Sequence, residues 1–152
     1  MTTQANPPLA DTVAQECLAV RLRILNRVIT KVYDDAFRPF GAKTSQLNIL
    51  IATARAGVAR PADICHVLQL DTSTLSRNVE RMKAKGWLEV VPDDEDARAQ
   101  PFRLTAKGRR LLERAKPAWE QAQQKAKELL GGDMIDVISD AVTRVREIEG
   151  QG

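Results

Sequence analysis

The chain contains few residues that could form a disulfide framework or a metal site. Its 152 residues include two cysteines, Cys17 and Cys65, and a single histidine, His66. Two cysteines in this arrangement give no disulfide or zinc pattern, and no second ligand stands at coordinating distance beside His66. We therefore expect no metal and no cofactor. Cys65 is expected to pack in a helix, and His66 to lie exposed on it.

Aromatic residues, long apolar runs and catalytic motifs are also scarce. Aromatics make up 4% of the chain, so the core must be aliphatic, which favours a mostly helical protein. No apolar run approaches the roughly 18 to 20 residues that cross a bilayer, and Met1 to Pro8 does not resemble a signal peptide. There is no nucleophile–base pair or phosphate loop. These absences predict a cytoplasmic protein that is not an enzyme.

The hydrophobic and charged residues that are present suit one small domain. Hydrophobic residues reach 43%, and the formal net charge is +3. A mildly basic chain can bind nucleic acid without being required to do so, so the position of the charge matters more than its sum.

A long first helix is predicted from about Asp11 to Phe37, after a loose tail over residues 1–9. It should span roughly 40 Å at 1.5 Å per residue, which is longer than a domain of this size can cover. A helix that is apolar over two arcs needs more than one packing partner, so we expect a second copy of the chain to cover part of it. The two arcs are Leu18, Leu25, Ile29, Val32 and Ala36, and Val13, Cys17, Val20 and Ile24.

Capping and breaking residues divide the rest of the chain. Thr44 or Ser45 should cap a second helix that Gly57 ends, and Pro61 suits the first turn of a third. Thr105 should cap a long helix, bent at Pro117, that reaches about residue 130. A final amphipathic helix is predicted over residues 133–149.

The segment from about Thr72 to Lys85 has the composition of a helix that reads DNA, and we call it the reading helix. Leu75, Val79 and Met82 recur at helical spacing and should face the core. Hydroxyls reach phosphates and base edges, and arginine can bind guanine through two hydrogen bonds. The opposite side carries Ser73, Arg77 and Arg81, flanked by Thr74 and Ser76.

A β-hairpin is predicted after the reading helix, with strands at Trp87–Val91 and Phe102–Leu104 joined by a charged loop. Pro101 indicates that the second strand lies at an edge or begins late. Arg98 stands near the tip, where a guanidinium could enter a narrow minor groove. Alternatively, Arg98 is a surface residue paired with Asp94 or Asp96.

Four motifs together resemble the MarR (multiple antibiotic resistance regulator) family of bacterial transcription factors, over roughly four fifths of the chain from Ala10 to Leu130. The last motif is the most specific, because a wing tip of that spacing followed by a Leu-Thr-x-x-Gly helix start is rare. The motifs are Thr44-Ser45-Gln46-Leu47, Ile64-Cys65-His66-Val67-Leu68, Ser73-Thr74-Leu75-Ser76-Arg77, and Asp93-x-x-Asp96-x-Arg98 leading to Leu104-Thr105-Ala106-Lys107-Gly108.

This resemblance implies a mostly α winged helix-turn-helix fold and a homodimer on a palindromic operator. It implies a helical dimerisation region over residues 10–40 and 106–150, and a DNA-binding region over residues 41–105. It further implies a repressor that a small phenolic ligand or an oxidant releases from double-stranded DNA. The residues expected to contact DNA are Thr72, Ser73, Thr74, Ser76, Arg77, Arg81 and Arg98, with Asp93 and Asp96 supporting the wing.

Several residues have two readings. Cys17, one helical turn before Arg21, could sense oxidants as a thiolate or could simply pack at a dimer joint. Tyr33, Phe37 and Trp119 could line a pocket for an aromatic effector or could belong to the dimer core. For the whole chain, the alternative to a DNA-binding regulator is a helical module that binds another protein.

Overall fold

The computed structural model describes residues 8–96 and 98–150, and within them the chain is mostly helical with one small β-hairpin. Leu9, predicted as part of a loose tail, already belongs to the first helix, while residues 1–7 lie outside the described part. The helices are α1 (Leu9–Glu16), α2 (Leu18–Phe37), α3 (Thr44–Ala56), α4 (Pro61–Leu68), α5 (Thr72–Ala84), α6 (Ala106–Leu130) and α7 (Met134–Glu149), with a 3-10 turn at Arg38–Phe40 and strands β1 (Leu88–Val90) and β2 (Phe102–Leu104).

The prediction of one continuous first helix was wrong, because the chain leaves helical geometry at Cys17. That residue has φ −65° and ψ 113°, an extended conformation between α1 and α2. Its carbonyl still accepts a hydrogen bond from the backbone N–H of Arg21, so it serves as the N-cap of α2. Within the part of the chain that the structure describes, no residue of α1 is buried.

The core lies where α3, α4 and α5 meet the end of α2, the hairpin and the first half of α6. As expected, it is largely aliphatic, although three aromatic side chains complete it. Its buried members are Phe37, Ala42, Leu47, Ile49, Leu50, Ala59, Ile64, Leu75, Met82, Trp87, Leu88, Phe102, Leu104, Leu111 and Ala115.

The two strands form an antiparallel pair in which Leu88 lies opposite Leu104 and Val90 opposite Phe102. The sequence did not indicate a further pairing, between Phe102 and Ala59 in the α3–α4 linker. Their backbones exchange two hydrogen bonds of 2.8 and 3.0 Å. The second strand is therefore fixed, at its end nearest the loop, to the α3–α4 linker.

The long helix α6 begins and ends as predicted. Thr105 caps it by accepting a 3.0 Å hydrogen bond from the N–H of Gly108. Pro117 lies inside the helix, which continues to Leu130, and a bend there stays a prediction. Within residues 8–96 and 98–150, no helix combines the length and the apolar character needed to span a membrane.

Candidate nucleic-acid interface

Helices α4 and α5 form a helix-turn-helix whose turn depends on one left-handed residue. Gln69 has φ 53° and ψ 48°, which reverses the chain after α4. The N–H of Leu70 then donates to the carbonyl oxygen of Cys65 at 2.9 Å, satisfying one of the last free carbonyls of α4. Asp71 is extended and starts α5 as its N-cap.

Helix α5 presents the two faces that its sequence predicted. Leu75 and Met82 are 1% and 0% exposed, so they anchor the helix in the core. Ser76, Arg77 and Arg81 are exposed on the outer side. Neither arginine forms an ion pair with any residue in the described part of the chain, which leaves both guanidinium groups available to a ligand.

Asp71 collects three hydrogen bonds at the first turn of α5. Its carboxylate accepts from the Ser73 hydroxyl at 2.6 Å, from the Thr74 hydroxyl at 2.7 Å and from the Thr74 N–H at 2.7 Å. The hydrogen bond from Ser73 contributes most, followed by those from Thr74, and together they hold the pKa of the Asp71 carboxyl well below its usual range. Two of the hydroxyls predicted to contact DNA are thus engaged in capping. Thr72 is exposed beside them.

Glu80, an acid on a helix expected to meet phosphates, pairs within its own helix. Its Oε1 lies 2.9 Å from the Nζ of Lys83. This pairing partly neutralises the charge of Glu80. It also leaves the guanidinium groups of Arg77 and Arg81 without an ion pair to Glu80.

The loop between the strands is organised by Asp93. Its carboxylate accepts from the N–H groups of Glu95 and Asp96 at 3.0 and 3.2 Å, which lowers its pKa. Arg60, the N-cap of α4, lies 3.1 Å from its other oxygen. Asp93 therefore ties the wing, residues 88–104, to the helix-turn-helix.

Arg60 had not been identified from the sequence. It stands some thirty residues from the acid it pairs with, and no local pattern distinguishes it from the chain's other exposed arginines. The pairing arises because Ala59 and Phe102 bring the α3–α4 linker against the hairpin.

Arg98 is exposed near the tip of the wing, one residue after Ala97, which lies outside the described residues. Its backbone N–H donates to Oδ1 of Asp96 at 2.9 Å. Asp96 thus shapes the backbone at Arg98. Within the described residues, the guanidinium of Arg98 forms no ion pair, so the predicted alternative of a surface pair with Asp94 or Asp96 is not seen.

The start of α3 differs from the prediction. Neither Thr44 nor Ser45 is the N-cap, which is Lys43. Thr44 is the first helical residue, and its N–H and hydroxyl both donate to Asp34 of α2, at 2.7 and 2.6 Å. The side chain of Asp34, in the preceding helix α2, therefore satisfies the first N–H of α3, because Asp34 and Thr44 meet across the 3-10 turn.

The remaining candidates are dispersed. Phe37 is a core residue, 2% exposed, with the ring of half-buried Tyr33 centred 6.2 Å away, and the Tyr33 hydroxyl donates to Gln123 of α6. Trp119 is 43% exposed. The role of these three residues in an effector pocket stays a prediction. Cys17 is partly buried at the α1–α2 break, and Cys65 is partly buried against the core, as expected of a packing residue. His66 is exposed, as predicted.

The fold and site define a winged helix-turn-helix protein. Residues 40–99, which contain the helix-turn-helix and most of the wing, match the model of the MarR family. The helix-turn-helix and wing of this chain are therefore similar to those of the MarR family of winged helix-turn-helix regulators.

Similar proteins support this assignment. The chain is 25% identical to the multiple antibiotic resistance protein MarR of Salmonella typhimurium over 113 residues, covering 73% of this chain and 78% of that protein. It is 28% identical to the transcriptional regulator PecS of Dickeya dadantii over 90 residues, covering 57% of this chain and 54% of PecS.

Two solved structures of regulators bound to DNA have the same fold. A mutant MarR from E. coli with operator DNA superposes with a TM-score of 0.78 at 21% identity, covering 88% of this chain and 96% of that chain. The M. tuberculosis regulator MOSR in complex with DNA superposes with a TM-score of 0.76 at 29% identity, covering 89% and 98%.

Proposed function

We propose that this protein is a sequence-specific DNA-binding transcriptional regulator that binds an inverted-repeat operator as a homodimer. The outer face of α5 carries the proposal. Ser76, Arg77 and Arg81 are exposed on a helix that Leu75 and Met82 fix in the core. A rigid helix with unpaired arginines suits the major groove, where arginine reads guanine O6 and N7. Thr72, Ser73 and Thr74 at its first turn are proposed to approach the same strand.

The wing supplies the second contact. Arg98 is proposed to enter the adjacent minor groove, while Asp93 and Asp96 hold the loop backbone that carries it. The four acids of the loop, residues 93–96, lower the net attraction of the wing for phosphate. We therefore expect the wing to add less affinity than α5.

Dimerisation is proposed through residues 10–40 and 106–150, with residues 41–105 binding DNA. The support is a large amount of apolar surface on α1, α2 and α7. Large exposed apolar surfaces mark interaction sites, and here the exposed apolar side chains lie on helices from the two ends of the chain. A second copy, related by a two-fold axis, would cover both patches at once. The exposed side chains are Leu9, Val13, Leu18, Val20, Leu22, Ile24, Leu25 and Val28, and Met134, Val137, Ile138, Val142, Val145 and Ile148.

Repression, and release by a small phenolic ligand or an oxidant, form the finer part of the proposal. Relatives named for multiple antibiotic resistance support a response to small molecules. Cys17 and the Tyr33, Phe37 and Trp119 set are the candidates for sensing an oxidant and a ligand. A cytoplasmic location belongs to the same proposal, since a regulator must reach its operator.

Selection of bound fragments from genomic DNA, followed by gel shifts, tests the proposal. We expect an inverted repeat whose half-sites are about 34 Å apart, one helical turn. Binding should weaken steeply with salt, because neutralising phosphates releases counterions. Recovery of a stable protein partner without any selected DNA would instead favour the alternative, a protein-interaction module.

A further inference from the structure

A basic cleft lies behind the C-terminal end of α5, on the side of the chain where the hairpin base meets α6. Its volume is about 410 Å³. We define the basic cleft by four cations, Lys85, Lys107, Arg110 and Arg114, and by two aromatic residues, Trp87 and Phe40. None of these residues belongs to the DNA-contacting set proposed above.

The charges in the basic cleft are not compensated. No carboxylate lines it, and none of its four cations forms an ion pair with a residue in the ranges that the structure describes. Lys85 Nζ lies 4.5 Å from the centre of the Trp87 ring and donates to the Gly41 carbonyl oxygen. Arg114 lies 5.8 Å from the centre of the Phe40 ring. Aromatic faces and a carbonyl hold these cations in place without cancelling their charge.

The shape and charge of the basic cleft select a class of ligand. Trp87 is only 6% exposed and is covered by Lys85, so it offers little face for stacking a ring. The polar side chains that line the cleft are all cationic. Two lysines and two arginines suit phosphate oxygens, which arginine can bind through paired hydrogen bonds and lysine as a point charge. A cavity of this size accommodates a small ligand, since such sites are typically about 300–1,000 Å³.

We propose that the basic cleft binds a small polyphosphate anion, of the class of nucleoside diphosphates and triphosphates. Lys107, Arg110 and Arg114 lie three or four residues apart on α6 and form one stripe. Lys85 faces them from the end of α5. An anion held between them contacts both α6 and the helix proposed to read DNA.

The test is calorimetric titration of the full chain, without DNA, using inorganic triphosphate as the first probe and ATP as the second. Benzoate, a monoanion with an aromatic ring, is the comparison ligand. Triphosphate should bind, and its affinity should fall as ionic strength rises. Benzoate should bind at least tenfold more weakly, since it can engage only one or two of the cations.

A matched pair of double variants separates the basic cleft from general charge. Lys107→Gln with Arg110→Gln should weaken triphosphate binding about tenfold or more, because two charge-assisted contacts are lost. Arg109→Gln with Lys127→Gln removes the same charge from exposed positions of the same helix outside the cleft, and should change the affinity less than twofold. Circular dichroism checks that both variants fold.

Three results would overturn the proposal: no binding of triphosphate or ATP, equal weakening by both double variants, or benzoate binding as tightly as triphosphate. Loss of operator affinity in the Lys107 and Arg110 variant, with no triphosphate binding, would make the cleft a DNA contact instead. Because the titration contains no DNA, its failure leaves the proposed operator binding untouched.

Discussion

The backbone carbonyl oxygen of Trp87 lies directly against the Cα of Gly108, so that a Cβ at position 108 would fall well inside van der Waals contact. The same carbonyl accepts a 3.1 Å hydrogen bond from the N–H of Thr105. The first turn of α6 is thereby seated on the base of the hairpin. This contact gives a physical reason for the glycine in the Leu104-Thr105-x-x-Gly108 motif.

Replacement of that glycine tests the contact. Glycine to alanine inside a helix normally stabilises, by up to about 1 kcal/mol. Gly108→Ala should instead destabilise the protein by about 1–3 kcal/mol, since a backbone carbonyl cannot move aside as a flexible side chain would. Urea unfolding measures the difference. Gly132→Ala is the control, because nothing lies within 4 Å of its added methyl group. If the two variants are equally stable, the backbone at Trp87 must shift to make room for the added methyl group.

The two faces of α5 should separate stability from binding. Leu75→Ala removes a fully buried side chain and should lower the free energy of unfolding by about 2–5 kcal/mol. Ser76→Ala, one residue on but exposed, should change it by less than about 0.5 kcal/mol. Chemical denaturation of both variants decides this. A large stability loss from Ser76→Ala would contradict the assignment of that side to solvent and ligand.

Arg77 and Arg98 should affect DNA binding differently. Arg77→Ala should cost about 1–3 kcal/mol in discrimination between the operator and a mutated site, because a base contact is lost. Arg98→Ala should weaken binding to operators of different sequence more uniformly. Gel shifts on operator and mutated duplexes measure both. Lys127→Ala, at an exposed position in the last turn of α6, serves as the control, and unchanged discrimination by Arg77→Ala would reject the groove assignment.

The Asp71 cap gives a pH dependence of known sign. Its pKa is lowered in the folded protein, so its stabilisation is fully present above the unfolded pKa, about 3.9. That stabilisation is lost as the pH falls through the lower folded value. Asp71→Ala should therefore lower the thermal midpoint at pH 7, and the gap from the natural protein should narrow below about pH 4. Asp71→Asn keeps an acceptor and should retain part of the cap at every pH. A gap that persists unchanged in acid would exclude the carboxylate as its source.

The pairing of Arg60 with Asp93 should act on the wing and hence on DNA affinity. Arg60→Ala and Asp93→Asn should each weaken operator binding. The double variant should be no weaker than the worse single one, since both changes remove the same contact. Stability should change little, because Arg60 is 56% exposed and ion pairs at such positions contribute about 0–1 kcal/mol. Additive losses in binding would mean that the two residues act independently.

Most of the fold could be predicted from local sequence patterns. The helical spacing of Leu75, Val79 and Met82 placed α5 correctly, and Thr105 caps α6 as predicted. These features are readable because caps and helical periodicity depend on residues within one or two turns. The hairpin was likewise located from its strand composition and from Pro101.

Contacts between distant segments could not be read in this way. Asp34 caps α3 from the preceding helix, and Arg60 reaches Asp93 only because Ala59 pairs with Phe102. The break at Cys17 was also missed, since the apolar periodicity of α1 and α2 continues across it. A helical pattern records which residues can share a face, but not whether packing keeps the backbone helical through every position.

The amino-acid sequence by itself determined helix α5 with its exposed arginines, the capped start of α6 and the hairpin, because each follows from short-range sterics and the burial of one face. The tertiary structure alone decided that the wing is held by Arg60 and that four cations at the end of α5 and on α6 converge on one cleft. Those outcomes depend on how segments far apart in the chain come together. The residues next to each segment in the sequence do not reveal such contacts.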